Sequence, residues 1–180
     1  MIQIVLLYMN GQAASASELM IKNQDFLLKN LKPVEVSESH LFTTFLLIKQ
    51  QKWSEALSFI TEKQSSIVDK QVQLEYQAEC HANLGESEKA KELYAELIER
   101  NNSNKKYYIG YLGYEPTSTE ESGIKLKEEL ATFLTKFPRL LFLRRFIISY
   151  SGNGDFFKQE IEGYAYQMLK KGIPSFVNDI

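Results

Sequence analysis

The chain has 180 residues, a formal net charge of −2 and a pI of about 5.8. This near-neutral charge gives no overall attraction to nucleic acid or to an anionic membrane, so binding of either would need a local patch. The single cysteine excludes an internal disulfide, and the sequence shows neither a charged leader with an apolar run nor a long apolar segment. We therefore expect a cytoplasmic protein that does not enter a membrane.

A repeated motif predicts the architecture. Ala56, in the sequence WSEA, and Ala90, in the sequence SEKA, lie 34 residues apart, which is the period of tetratricopeptide repeats. In such repeats two antiparallel helices pack closely at small side chains. The spacing predicts an all-α chain: an α-solenoid of antiparallel helix pairs with a right-handed superhelical course, forming one domain over residues 1–180.

The predicted repeats follow one another along the chain. Their expected ranges are a partial repeat at 1–32, helix pairs at 35–70, 71–104, 105–138 and 139–172, and the start of a further helix at 173–180. Residues 33–38 are expected to be a polar connector. Because both ends of the chain fall inside predicted repeats, with no polar capping repeat at either end, we expect it to be part of a longer array.

Punctuating residues predict where individual helices begin and end. Gly85 is expected to end the first helix of the 71–104 pair, because glycine tolerates a left-handed cap. Beyond Asn104 the period loosens; there one continuous helix is predicted over Thr119–Phe137 and ended by Pro138. Asp155 is the expected N-cap of the helix that follows.

No group of residues has the spacing that catalysis or metal binding requires. The two histidines, His40 and His81, are far apart in the sequence, and Cys80 has no cysteine partner. His81 is expected to face the core, and Cys80 to be a small buried hydrophobic residue. Gly110 and Gly113 lack the other residues of a phosphate-binding loop. We predict no catalytic residues, no cofactor and no metal.

Several short sequences occur in an order that resembles one protein family. They are LYAELIERN at 93–101, YYIGY at 107–111, KFPR at 136–139, RRF at 144–146, SGNGDFF at 151–157 and KGIPSF at 171–176. With the earlier WSEAL at 53–57, the resemblance covers about residues 40–178. The chain is similar to a middle part of the auxiliary subunit of the N-terminal acetyltransferase A complex. Two features depart from the family pattern: residues 146–148 are apolar where a proline is usual, and Gly113 with Pro116 interrupts a usually helical stretch.

The resemblance implies a non-catalytic scaffold. Members of this family wrap a GNAT-fold catalytic subunit, adapt it to Ser-, Ala-, Thr- and Gly-type N-termini, and bring it to the ribosome. The acetyl-CoA chemistry would then belong to the partner. The family's inositol-phosphate contacts cannot be transferred to residues of this chain.

Partner contacts are expected on the first helix of each pair, which lines the concave face in this repeat geometry. The candidates are Phe45, Ile48, Tyr108, Tyr111, Arg144 and Arg145. For the aromatic residues, packing in the core is the competing interpretation.

Two other functions remain open from the residues alone. A generic tetratricopeptide adaptor would clamp a peptide carboxylate with clustered Lys, Arg and Asn, but the expected concave positions Leu41, Phe45, Glu75 and Glu79 do not supply that clamp. An RNA-binding solenoid would use the basic corner at Lys136, Arg139, Arg144 and Arg145. Because acidic residues are interspersed with these, we do not expect the chain to bind nucleic acid directly.

Overall fold

The computed structural model describes residues 2–170, apart from the side chains of Asp25 and Gln167. Every secondary-structure element in this range is an α-helix, which confirms the predicted all-α architecture. The helices are α1 (Ile2–Met9), α2 (Ala13–Lys22), α3 (Gln24–Leu28), α4 (Pro33–Lys49), α5 (Trp53–Glu62), α6 (Lys70–Asn83), α7 (Ser87–Arg100), α8 (Lys105–Leu112), α9 (Glu120–Glu129), α10 (Ala131–Lys136), α11 (Leu141–Ser149) and α12 (Asp155–Lys170). The chain divides into two compact units, Met1–Arg100 and Asn101–Ile180, called here the N-terminal and C-terminal units.

Helices of the N-terminal unit pack in pairs: α1 with α2, α4 with α5, and α6 with α7. The two alanines that carry the repeat period, Ala56 and Ala90, are buried, and so is Ala78 on α6. A small side chain allows two helix axes to approach, whereas a larger one would force them apart or strain its neighbours. The alanine spacing in the sequence therefore identifies positions inside the packed core.

The connector predicted at 33–38 is wrong, because these residues form the first turns of α4. Pro33 occupies the start of the helix, where its missing N–H costs nothing and its fixed φ is already helical. The Glu35 carboxylate then reaches back and accepts a hydrogen bond from the Lys32 backbone N–H at 2.7 Å. Pro33 followed by Glu35 in the first turn is a sequence signal for a helix start, but the polar composition of residues 33–38 hides it.

Residues at two other helix ends of this unit follow the expected chemistry. Gly85 has a positive φ of 79° and directly follows α6 and Leu84, as predicted for a left-handed cap. At the other end of α6, the Asp69 carboxylate accepts hydrogen bonds from the backbone N–H groups of Gln71 and Val72 at 3.0 Å each. These caps fix the length and the direction of α6.

His40 links three segments of the N-terminal unit. Its buried ring lies on α4, with Nδ1 2.9 Å from Ser66 Oγ and Nε2 3.2 Å from Gln24 Nε2. Ser66 Oγ donates its hydrogen to the Lys63 carbonyl at 2.8 Å. Nδ1 therefore donates to Ser66, and Nε2 accepts from the Gln24 amide, which assigns a neutral ring. Burial, and then the charge of Lys63, lower the pKa of His40 against an opposing effect of Glu62.

An aromatic cluster forms the core of the C-terminal unit. Tyr108 on α8 is fully buried, and its ring lies 5.7 to 5.9 Å from the rings of Phe133, Phe142 and Phe146. The Tyr108 hydroxyl donates a hydrogen bond to the Asn102 carbonyl at 2.9 Å, so the polar end of the buried ring has a partner. These contacts hold α8 against α10 and α11.

The continuous helix predicted over Thr119–Phe137 is wrong, since α9 ends at Glu129 and α10 begins at Ala131, with Leu130 between them. Backbone hydrogen bonding nevertheless continues, from the Leu130 N–H to the Leu126 carbonyl and from the Leu134 N–H to the Leu130 carbonyl. The Leu130 side chain is fully buried. The interruption is therefore a single buried residue rather than a loop, and its burial depends on packing that local periodicity does not report.

The start of α12 also differs from the prediction. Asp155 is the first residue of α12 rather than its cap, and its carboxylate pairs with Lys158 at 2.8 Å. The Phe156 backbone N–H instead donates to Glu120 Oε1, on α9, at 2.8 Å. A side chain distant in sequence thus satisfies one of the open N–H groups at this helix end.

Some predictions concern residues outside the described range. The end of the 139–172 repeat and the helix expected at 173–180 are among them, and the repeat boundaries remain predictions. Within residues 2–170, no helix combines the length and the apolar character needed to span a bilayer.

Gly123 should tolerate no larger side chain. A Cβ at this buried position on α9 would clash with Ser151 Oγ and lie 2.7 Å from Ser151 Cα, and the latter cannot move without shifting the backbone. We expect Gly123→Ala to lower the free energy of unfolding by about 1–3 kcal/mol, measured by urea denaturation.

Gly163→Ala on α12 is the matched control. Nothing lies within 4 Å of a Cβ at Gly163, so alanine should stabilise the helix there by up to about 1 kcal/mol. Equal stability changes for the two variants would contradict the close approach of α9 to Ser151.

The free energy of unfolding should decrease as the pH falls below about 6.5, the ordinary pKa of histidine. Because the pKa of His40 is lowered in the folded state, the unfolded state binds this proton more readily. The contribution of neutral His40 to the free energy of unfolding is complete above the pKa that His40 has in the unfolded chain. It is lost as the pH drops towards and below the pKa that His40 has in the folded protein. Urea titrations at several pH values should give a smaller pH slope for His40→Gln than for the wild type. Identical slopes for wild type and His40→Gln would refute this.

Candidate partner-binding surfaces

The one cysteine and the two histidines are either buried or engaged in structural contacts. Cys80 is fully buried, as predicted, and burial raises its pKa to about 11. His81 is half-buried at the corner between α6 and α7 rather than in the core, with Nδ1 2.9 Å from Glu86 Oε2. Lys89 donates to the same oxygen, and together the two partners lower the pKa of Glu86. Within residues 2–170, no group of three or more His, Cys, Asp or Glu is arranged to hold a metal ion.

Of the two candidates on α4, one lies in the core and one lies at its edge. Ile48 is buried against Ala56 and Cys80. Phe45 is half-buried; its ring stacks on Phe42 at 6.3 Å and meets Tyr8 edge-on at 5.4 Å. Phe45 therefore offers part of an aromatic surface, whereas the side chain of Ile48 is already used in packing.

The two tyrosine candidates on α8 differ in the same way. Tyr108 lies inside the aromatic cluster, and burial raises its pKa to about 12. Tyr111 is half-buried and packs edge-on against Phe133 at 5.1 Å. The whole Tyr108 side chain is buried in the core, so it cannot contact a partner directly. It can affect binding only by positioning the residues around it.

The paired arginines lie on α11 and differ in exposure. Arg144 is half-buried and Arg145 is exposed. Arg145 borders a cavity of about 420 Å³ whose other lining residues include Ser149, Asn153 and Tyr164. The turn at residues 151–154 brings Asn153 to this cavity, and no local sequence pattern predicts that it meets Arg145 there.

A groove on the N-terminal unit was also missed. It consists of two adjoining cavities of about 300 and 490 Å³ that share Glu38 and Phe42 of α4. The smaller cavity is completed by Leu41, Phe45, Asp69, Val72 and Tyr76. The larger one is completed by Val5, Leu27, Leu31, Val34, Glu35 and Ser39. We call this the α4 groove; the polar composition of residues 33–38 predicts a connector and so hides the position of Glu38 on a helix.

These features define a class: a helical-repeat protein that presents grooves and side-chain surfaces on a packed scaffold. A family model described as N-terminal acetyltransferase A, auxiliary subunit, matches residues 34–180. Since this match covers most of the chain, the chain belongs to that family, and the resemblance noted from its motifs is confirmed.

Individual relatives give the extent of the similarity. The N-terminal acetyltransferase A complex auxiliary subunit NAA15 of Arabidopsis thaliana is 25% identical over 183 residues, covering 96% of this chain and 20% of that relative. A solved structure described as Naa15/Naa10 bound to HypK-THB matches with a TM-score of 0.76 and 20% identity, covering 98% of this chain and 27% of the matched chain. The chain thus has the fold of part of the matched chain in that structure. It spans about a fifth of the length of the curated relative from Arabidopsis.

Cys80 should react slowly with thiol reagents in the folded protein. A pKa raised from 9.0 to about 11 leaves about a hundredfold less thiolate near neutral pH, and the thiolate is the reactive form. The rate of Ellman's-reagent modification, measured with and without urea, should rise by at least that factor on unfolding. The unfolded chain should release one thiol equivalent, since the sequence has one cysteine. Rapid modification of the folded protein would contradict the burial of Cys80.

Proposed function

We propose that this chain is part of the non-catalytic scaffold of an N-terminal acetyltransferase A complex. In this role it helps to wrap and position a GNAT-family catalytic subunit for acetylation of nascent chains. The single observation that carries the proposal is the family match over residues 34–180. The acetyl-CoA chemistry belongs to the catalytic subunit, and contact with the ribosome, in the cytoplasm, is made through the full-length protein.

The surfaces of the chain support a scaffold role. Helical-repeat units expose extended faces whose side chains are positioned by packing beneath them. Phe45 and Tyr111 each combine a buried edge, held by neighbouring rings, with an exposed edge. Such rigid aromatic residues are favourable interface anchors because little side-chain entropy is lost on binding. Arg145 adds an exposed charge.

We propose Phe45, Tyr111, Arg144 and Arg145 as the partner contacts among the six candidates. Ile48 and Tyr108 contribute indirectly, since each is buried and holds the helix that carries a neighbouring candidate. This division follows from exposure: a side chain contributes to binding mainly through the surface that association removes from water.

Co-expression of the full-length protein with its catalytic subunit tests this function. The two proteins should co-purify, and the complex should acetylate peptides with Ser, Ala, Thr or Gly at the N-terminus more rapidly than the catalytic subunit alone. Arg145→Glu should weaken co-purification, because it reverses an exposed charge in the proposed interface. Lys158→Glu, an exposed charge reversal on α12, is the matched control.

Two results would contradict the proposal. One is the failure of the wild-type proteins to co-purify. The other is a complex whose rates with this set of peptides equal those of the catalytic subunit alone. Equal effects of Arg145→Glu and Lys158→Glu would remove Arg145 from the interface while leaving the scaffold role intact.

A further inference from the structure

The α4 groove has an apolar floor and an acidic border. Among the described residues that line it, nine are apolar or aromatic, three are carboxylates (Glu35, Glu38 and Asp69), and none is Lys, Arg or His. Its two cavities, of about 300 and 490 Å³, each have a size common among ligand and peptide sites. The groove therefore presents apolar surface to a ligand together with charge of one sign.

The three carboxylates do not have equal freedom to meet a ligand. Glu35 is engaged at the start of α4 through the Lys32 N–H, and Asp69 caps α6. Glu38 lies between the two cavities, is exposed, and has no hydrogen bond or ion pair with any residue in the described part of the chain. Glu38 therefore provides a negative charge at the centre of the groove that can pair with a ligand.

Further negative charge acts on Tyr76, which lines the α6 side of the groove. Burial raises the pKa of the Tyr76 hydroxyl, and the carboxylates of Glu79, Glu75 and Glu38 raise it further. Glutamates from two helices, α4 and α6, therefore act on the same point of the groove wall. A cation entering there would experience their combined field, which a low-dielectric wall strengthens.

Aromatic rings complete the recognition chemistry. Phe42, Phe45 and Tyr76 line the smaller cavity beside Glu38. The Phe45 ring already has the Lys49 ammonium 5.2 Å from its centre, whereas Phe42 and Tyr76 have no such contact in the described part of the chain. A carboxylate next to aromatic faces suits a Lys or Arg side chain, which combines an apolar stem with a positive end.

We propose that the α4 groove binds a segment of a partner protein in which a Lys or Arg lies between apolar side chains. The cation pairs with Glu38 while the apolar side chains fill the cavities on either side. The charge of the groove selects against acidic segments, and its apolar floor selects against segments that are only basic. Phe45 belongs both to this groove and to the contacts proposed above for the catalytic subunit, but binding of such a segment can be tested without that subunit.

Fluorescence anisotropy with designed peptides tests the proposal on the full-length protein. The probe is a labelled amphipathic peptide of about 16 residues, with leucines on one face and two central arginines, the form used by helices that bind grooves. A second peptide replaces the arginines with glutamates, and a third replaces the leucines with serines. Only the first should bind the wild-type protein saturably, and its affinity should fall with added salt.

Two variants with the same net charge locate the binding. Glu38→Lys reverses the central charge of the groove, whereas Glu92→Lys reverses an exposed charge on α7 that lies outside it. Glu38→Lys should weaken binding of the arginine peptide at least about tenfold and improve binding of the glutamate peptide. Glu92→Lys should leave both affinities unchanged.

Several outcomes would overturn the proposal. These are equal binding of the arginine and glutamate peptides, equal effects of the two variants, and the absence of saturable binding. Dimerisation of the protein that Glu38→Lys abolishes, without peptide binding, would also overturn it, because the occupant would then be a second copy of this chain.

Discussion

The close packing of helices at buried alanines is the constraint on which the N-terminal unit depends. A single helix pair cannot bury its apolar faces alone, so each pair must also pack against the next. Ala56 on α5, Ala78 on α6 and Ala90 on α7 keep the backbones close enough for this. The contacts of α5 with both α4 and α6 then place α4 and α6 side by side. The surface of the unit follows from that arrangement.

The C-terminal unit solves the same packing problem with different residues. Its core is built around the buried ring of Tyr108 and three phenylalanines rather than around alanine contacts. Close approach occurs instead at Gly123, against Ser151. Bulky rings and one glycine replace evenly spaced small residues, which is the physical reason that the repeat period fades beyond Asn104.

Helix α4 shows how one element serves both stability and recognition. Leu47 and Ile48 lie in the core, and His40 links α4 to its neighbours through a neutral, hydrogen-bonded ring. The opposite side of the same helix contributes Glu38 and Phe42 to the groove. Because core contacts fix the rotation of the helix, they also fix which side chains face a partner.

The sequence by itself determined the all-α class and the helix cap at Gly85, since helix periodicity and capping act over three or four residues. Its 34-residue repeat determined the alanine positions in the core. Its motifs also identified the family. It misjudged residues 33–38, where the capping signal of Pro33 and Glu35 was outweighed by polar composition. Only the tertiary structure decided that Leu130 interrupts a helix, that Tyr108 is core while Tyr111 reaches the surface, and that Glu38 and Tyr76 share one groove. Each of these depends on contacts between residues distant in sequence, which no local pattern encodes.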